Sequence, residues 1–143
     1  MDLRSVYTQI ITENSRAQHN RHPVLGATHS IQGINPSCGD DITVFLKVKD
    51  GVIEDAGFTG LGCAVSQASA SLMIDLINGL SVEDAKYRTE LFLKMIKGEE
   101  LQEDIEEMLG DASALQGISK VPARVKCAVL SWHTLTEALE QEK

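Results

Sequence analysis

The chain has 143 residues, 43% of them hydrophobic but only 4% aromatic, and a net charge of −8. At that length a core can bury about 68–70% of the surface an unfolded chain exposes, so a single domain over residues 1–143 with a mainly aliphatic core is expected. The acid excess argues against nucleic acid as a partner, because phosphate binding relies on Lys and Arg displacing counterions. No apolar run approaches the ~18 residues of a membrane span. The N-terminal MDLRSVYTQIITENSRA carries acids and no small-residue cleavage site, so no signal peptide is expected and the cytoplasm is the default location. In that compartment three scattered cysteines point to metal binding or catalysis rather than to a disulfide framework.

Residues 2–16 place Leu3, Val6, Tyr7, Ile10 and Ile11 on one helical stripe. Residues 17–28, with His19, His22, Pro23 and Gly26, form a loop, and a short strand runs from His29 to Ile34. DITVFLKVKD alternates, with Ile42, Val44, Leu46 and Val48 facing one way, which is the pattern of a half-buried strand. Asp50-Gly51 suits a tight hairpin turn, and VIEDAGFTG returns as the next strand. After Gly60-Leu61-Gly62-Cys63, a helix carries Val65, Ala68, Leu72 and Leu76 and stops at Gly79. Ser81 with Asp84 caps a further helix over 82–97, closed by Gly98. EELQEDIEEMLG forms a shorter acidic helix and LQGISKVP a connector. The last helix, over 122–140, begins at Pro122 and puts Val125, Val129, Trp132, Leu135 and Leu139 on one face. Helix, strands, then helices gives an α+β fold, a small antiparallel sheet of about three strands packed against several helices.

Cys38, Asp40, Cys63 and Cys127 are the candidate chemical residues. A cysteine inside a helix, such as Cys127, is ordinarily a small buried hydrophobe. Cys38 and Cys63 instead flank glycines at strand ends, and Cys63 precedes a helix whose N-terminal dipole favours a thiolate. There is no C-x-x-C pair. Cys38-Gly39-Asp40 nevertheless sets a sulfur and a carboxylate on one turn, and two further thiolates would complete a tetrahedral set for zinc or iron. The histidines compete. His19 and His22 share a loop, His29 opens a strand and His133 lies late in the last helix, which leaves a Cys–His nucleophilic pair open. The acids of 99–111 read as a solvated helix face, Asp41 as a solvated strand start, and Leu91, Met95 and Ile96 as core or interface.

NPSCGD, FTGLGCAVSQASASLM and LQGISKVPARVKCAVLSW, in that order, closely resemble the SufU-type branch of the IscU/NifU-like iron–sulfur cluster assembly family over nearly the whole chain. The resemblance implies an IscU/SufU-like fold and a zinc ion held by Cys38, Asp40, Cys63 and Cys127. It further implies that Cys38 accepts persulfide sulfur from a SufS-type cysteine desulfurase, with zinc passing between ligands on docking. The chain would then act as a sulfurtransferase-type partner rather than a stand-alone enzyme, with apo-protein targets or an assembly complex downstream. IscU-like chains carry a histidine directly before the third cysteine, where this chain has Lys126, and lack the extra acidic stretch after Gly79; both departures point to the SufU type. Arg124 is placed to steer anionic sulfur or to screen the site's charge, or is an ordinary surface arginine. Two alternatives accompany the sulfur carrier: a scaffold that builds a transient iron–sulfur cluster on the same ligands, and a non-catalytic protein that zinc merely holds together.

Overall fold

The computed structural model describes residues 3–141. Its centre is an antiparallel sheet of β1 (His29–Asn35), β2 (Asp40–Lys49) and β3 (Val52–Leu61), in the order β1-β2-β3. The alternation expected of β2 is present: Ile42, Val44, Leu46 and Val48 are buried, while the residues between them are half-exposed. Asp50 and Gly51 take φ of 53° and 75°, the paired positive values that let a two-residue turn follow the strand twist. A register shift at Lys47/Val48 marks an irregularity near that turn.

Around the sheet lie α1 (Leu3–Arg16), α2 (Ala64–Ile77), α3 (Val82–Ile96), α4 (Ile105–Leu109) and α5 (Pro122–Glu140). The α+β architecture expected from the element order is therefore the one observed. Helix α2 packs on β3, α5 packs on β1 and β2, and the two helices pack on each other. Of the α1 stripe, Ile10 and Ile11 pack on the core, while the side chains of Leu3, Val6 and Tyr7 lie outside the described residues. Leu91, Met95 and Ile96 are core.

Helix α2 departs from the expected single apolar stripe. Ser66, Gln67, Ser69 and Ser71 are buried along with Ala68 and Leu72, while Val65 and Leu76 are only half-buried. The helix is enclosed by α1, α5, β3 and the 3-10 segment Gly110–Lys120, so most of its circumference is interior and small side chains set the close approach. Downstream, the acidic helix is shorter than expected. The Asp104 side chain accepts a hydrogen bond from the Glu107 amide at 3.2 Å, so the helix starts only at Ile105. The connector is not irregular: residues 110–120 coil as that 3-10 segment, which buries Ala112, Ala114 and Leu115 before Pro122 opens α5. These are tertiary effects, since the small residues gain burial only once α2 and α3 are in place.

Candidate metal centre

At one end of the sheet, β1 and β2 finish on the Asn35–Asp40 pair and β3 finishes at Leu61. Three separate stretches of chain converge there. Cys38 sits in the turn between β1 and β2, its amide bonded to the Asn35 carbonyl at 3.3 Å. Gly39, at φ +71°, lets the chain reverse directly after it. Asp40 is the first residue of β2, Cys63 is the N-cap of α2, and Cys127 lies in the second turn of α5. The orientation of α5 is set by a buried relay. The Trp132 indole N–H donates to Ser69 Oγ at 2.8 Å, and Ser69 donates to the Ala128 carbonyl at 2.6 Å. Trp132 also stacks on Phe92, with ring centroids 3.8 Å apart. Cys127 is thereby fixed next to Ala128, inside the protein.

Among the described residues, the group of ligating side chains close enough to hold a metal ion is Cys38, Asp40 and Cys127, whose donor atoms lie within 4.8 Å of one another. The sulfurs of Cys38 and Cys127 are 3.3 Å apart. Cys63 stands at the edge of this trio, its side chain in hydrogen-bonding reach of Cys127. Access is unequal: Cys38 is exposed, Cys63 half-buried and Cys127 fully buried. Burial, followed by hydrogen bonds with Cys38, Cys63 and Asp40, pushes the Cys127 thiol well above its ordinary range.

Asp40 is not the loop carboxylate its neighbours Gly39 and Pro36 suggest. It is fully buried, with Oδ1 accepting from the Cys63 amide at 3.0 Å and from Ser66 Oγ at 3.1 Å, and Oδ2 accepting from Asn35 Nδ2 at 3.3 Å. All three donors are neutral, and among the described residues no lysine, arginine or histidine forms an ion pair with it. An ionised carboxylate buried in that way calls for a cation, and two thiols beside one carboxylate, with the Cys63 thiol at their edge, match the ligand chemistry of zinc. The residues present therefore fit a zinc ion. Gly62 permits the arrangement, since a Cβ there would lie 2.2 Å from Ser66 Oγ and 2.6 Å from Asp40 Oδ1. Asn35 and Ser66 escaped the sequence reading. The only signal was their place, one ending the strand before Pro36 and the other lying one helical turn after Cys63.

Arg124 is exposed on the first turn of α5, and its guanidinium reaches this cluster. A hydrogen bond with Cys127, and then the charge of Cys63, raise its pKa above the ordinary arginine value. The histidines lie elsewhere. His19 Nε2 is 3.0 Å from Asp75 Oδ1 on α2, an acid that the 17–28 loop taken by itself did not reveal. His22 Nδ1 donates to the Pro23 carbonyl at 2.9 Å. His29 opens β1, about 20 Å of strand from its Asn35 end at ~3.3 Å per residue. Burial, then the Lys97 charge, lowers the His133 pKa. Asp41 is bridged by Gln32 Nε2 at 2.9 and 3.1 Å rather than simply solvated.

The model of the NifU-like N terminal domain matches residues 7–139. The chain belongs to that family. It is 39% identical over 142 residues to the zinc-dependent sulfurtransferase SufU of Bacillus subtilis, covering 99% of this chain and 95% of that protein. It is 42% identical over 141 residues to the iron–sulfur cluster assembly scaffold protein IscU of Thermotoga maritima, covering 99% and 97%. A crystal structure from Fervidobacterium islandicum AW-1, described as an iron–sulfur cluster assembly scaffold protein for the SUF system, superposes with a TM-score of 0.87 at 32% identity, over 94% of this chain and 97% of that one. The family and fold that the three cysteine motifs imply are thus the ones found. Among the described residues no helix is long and apolar enough to cross a membrane.

Proposed function

We propose that this chain binds zinc through Cys38, Asp40, Cys63 and Cys127 and accepts persulfide sulfur on Cys38 from a SufS-type cysteine desulfurase, for use in iron–sulfur cluster assembly. The observation that carries the reading is the exposed Cys38 sulfur poised 3.3 Å from the buried Cys127 sulfur, beside a buried carboxylate that has no cationic partner among the described residues. The similarity to a zinc-dependent sulfurtransferase supports it. Zinc, when bound, keeps the thiols deprotonated and shielded from oxidation. The remaining chemistry belongs to the chain's own residues. Cys38, as thiolate, attacks the outer sulfur of the donor persulfide. The new S–S bond forms on Cys38, and the donor cysteine leaves as its thiolate. The Arg124 guanidinium, beside the three sulfurs, draws the anionic donor in. Asp40, a hard oxygen donor among soft sulfurs, is the ligand that keeps the set exchangeable.

The test measures bound metal and desulfurase stimulation on one sample. Cys38→Ala should keep its far-ultraviolet circular dichroism and lose the stimulation; normal stimulation refutes the acceptor assignment. A scaffold role is the second reading, favoured by the similarity to the Thermotoga maritima scaffold protein. It requires that iron and sulfide yield a stable cluster on the chain that transfers to an apo target. A chain that neither stimulates nor transfers is left with zinc as a structural ion.

A further inference from the structure

We propose that Cys127 is a resolving thiol, which discharges sulfur carried on Cys38 as hydrogen sulfide and closes a Cys38–Cys127 disulfide. The inference rests on the reading of Cys38 as sulfur acceptor and says how the sulfur leaves. Three observations carry it. The two sulfurs stand 3.3 Å apart, so a disulfide bond of ~2.0 Å needs them to close by roughly 1.3 Å. Cys127 is fully buried while Cys38 is exposed, so an external sulfur donor meets Cys38 first and Cys127 acts only from within. The adjustment falls on the Cys38 turn, where a Cβ on Gly39 would have nothing within 4 Å, because α5 is locked by Trp132 and Ser69.

The step balances without an outside oxidant. With both sulfurs free of zinc, the Cys127 sulfur attacks the Cys38 sulfur of the Cys38 persulfide. The bond between Cys38 sulfur and the outer sulfur breaks, and its electron pair leaves with the outer sulfur. That sulfur departs as hydrogen sulfide with the Cys127 proton. The outer sulfur is reduced, and the two cysteines are oxidised to a disulfide. The exposed Arg124 guanidinium, whose pKa the nearby Cys127, Cys63 and Cys38 raise, supplies positive charge near these sulfurs as the anionic sulfide leaves. An external dithiol reductant restores the two thiols by disulfide exchange. Cys63, outside the close trio, is not the resolving partner.

The experiment loads the purified chain anaerobically with inorganic polysulfide, removes the excess, measures released sulfide and maps alkylated peptides by mass. The native chain should release about one sulfide per chain and yield the Cys38–Cys127 disulfide. Cys127→Ala should retain the extra sulfur atom on Cys38 and release sulfide at least about tenfold more slowly. Mapping of the native chain is decisive even if the variant folds poorly. A Cys38 persulfide that persists in the native chain, or a disulfide to Cys63 instead, overturns the relay and leaves the acceptor reading intact. Failure of Cys38 to take sulfur in either chain overturns both.

Discussion

Replacing Asp40 separates its two roles, because the carboxylate both organises the site and supplies charge. In Asp40→Ala the Cys63 amide and Asn35 Nδ2 lose their acceptor, whereas Ser66 Oγ keeps the Cys63 carbonyl at 3.0 Å. Each buried donor left unpaired costs about 1–3 kcal/mol. Removing a buried polar carboxyl group offsets part of that, so a net loss of about 2–4 kcal/mol is expected. At roughly 3–4 °C per kcal/mol for a chain of this size, the melting temperature of zinc-free protein should fall by about 6–16 °C. Asp40→Asn keeps an acceptor toward Cys63 and Ser66, and the Asn35 amide can turn its oxygen toward the new NH2 group, so the loss should stay below about 1 kcal/mol. Both variants should bind zinc more weakly. Calorimetric melting with and without one equivalent of zinc gives the comparison. If zinc-free Asp40→Ala melts with Asp40→Asn and the native chain, the hydrogen-bonded carboxylate does not organise this end of the sheet.

Gly62→Ala should weaken zinc binding more than it lowers the melting temperature, because its Cβ would press on Ser66 Oγ and Asp40 Oδ1; competition with a chromogenic chelator measures the affinity, and an unchanged value contradicts the crowding. Trp132→Ala removes the stack on Phe92 and the bond to Ser69, and should cost about 3–5 kcal/mol in urea unfolding together with weaker zinc binding, because α5 carries Cys127. The pH dependence follows from Cys127, whose folded pKa lies above its ordinary 9.0. The folded zinc-free chain therefore holds this proton more tightly than the unfolded chain. This contribution to stability is fully present below pH 9.0 and declines as pH rises above it, a slope that Cys127→Ala should reduce in urea titrations. Zinc occupancy runs the other way: acidification should release the ion, and occupancy that persists at strongly acid pH excludes thiolate ligation.

Period and punctuation already specified much of this molecule. The two-residue alternation from Ile42 to Val48, the Asp50-Gly51 turn, the Ser81 cap and the Pro122 start are local signals, and each is realised where local physics puts it. The three cysteine motifs pointed to the family for the same reason, being short, ordered and chemically specific. What local pattern does not encode is enclosure. The burial of serines around α2, the 3-10 course of residues 110–120 and the hydrogen-bonded burial of Asp40 arise only when distant segments close on one another. The distance between Cys38 and Cys127 belongs to that second class. They are 89 residues apart in the chain, and only the packing of α5 on the sheet, held by Trp132 and Ser69, brings their sulfurs to 3.3 Å.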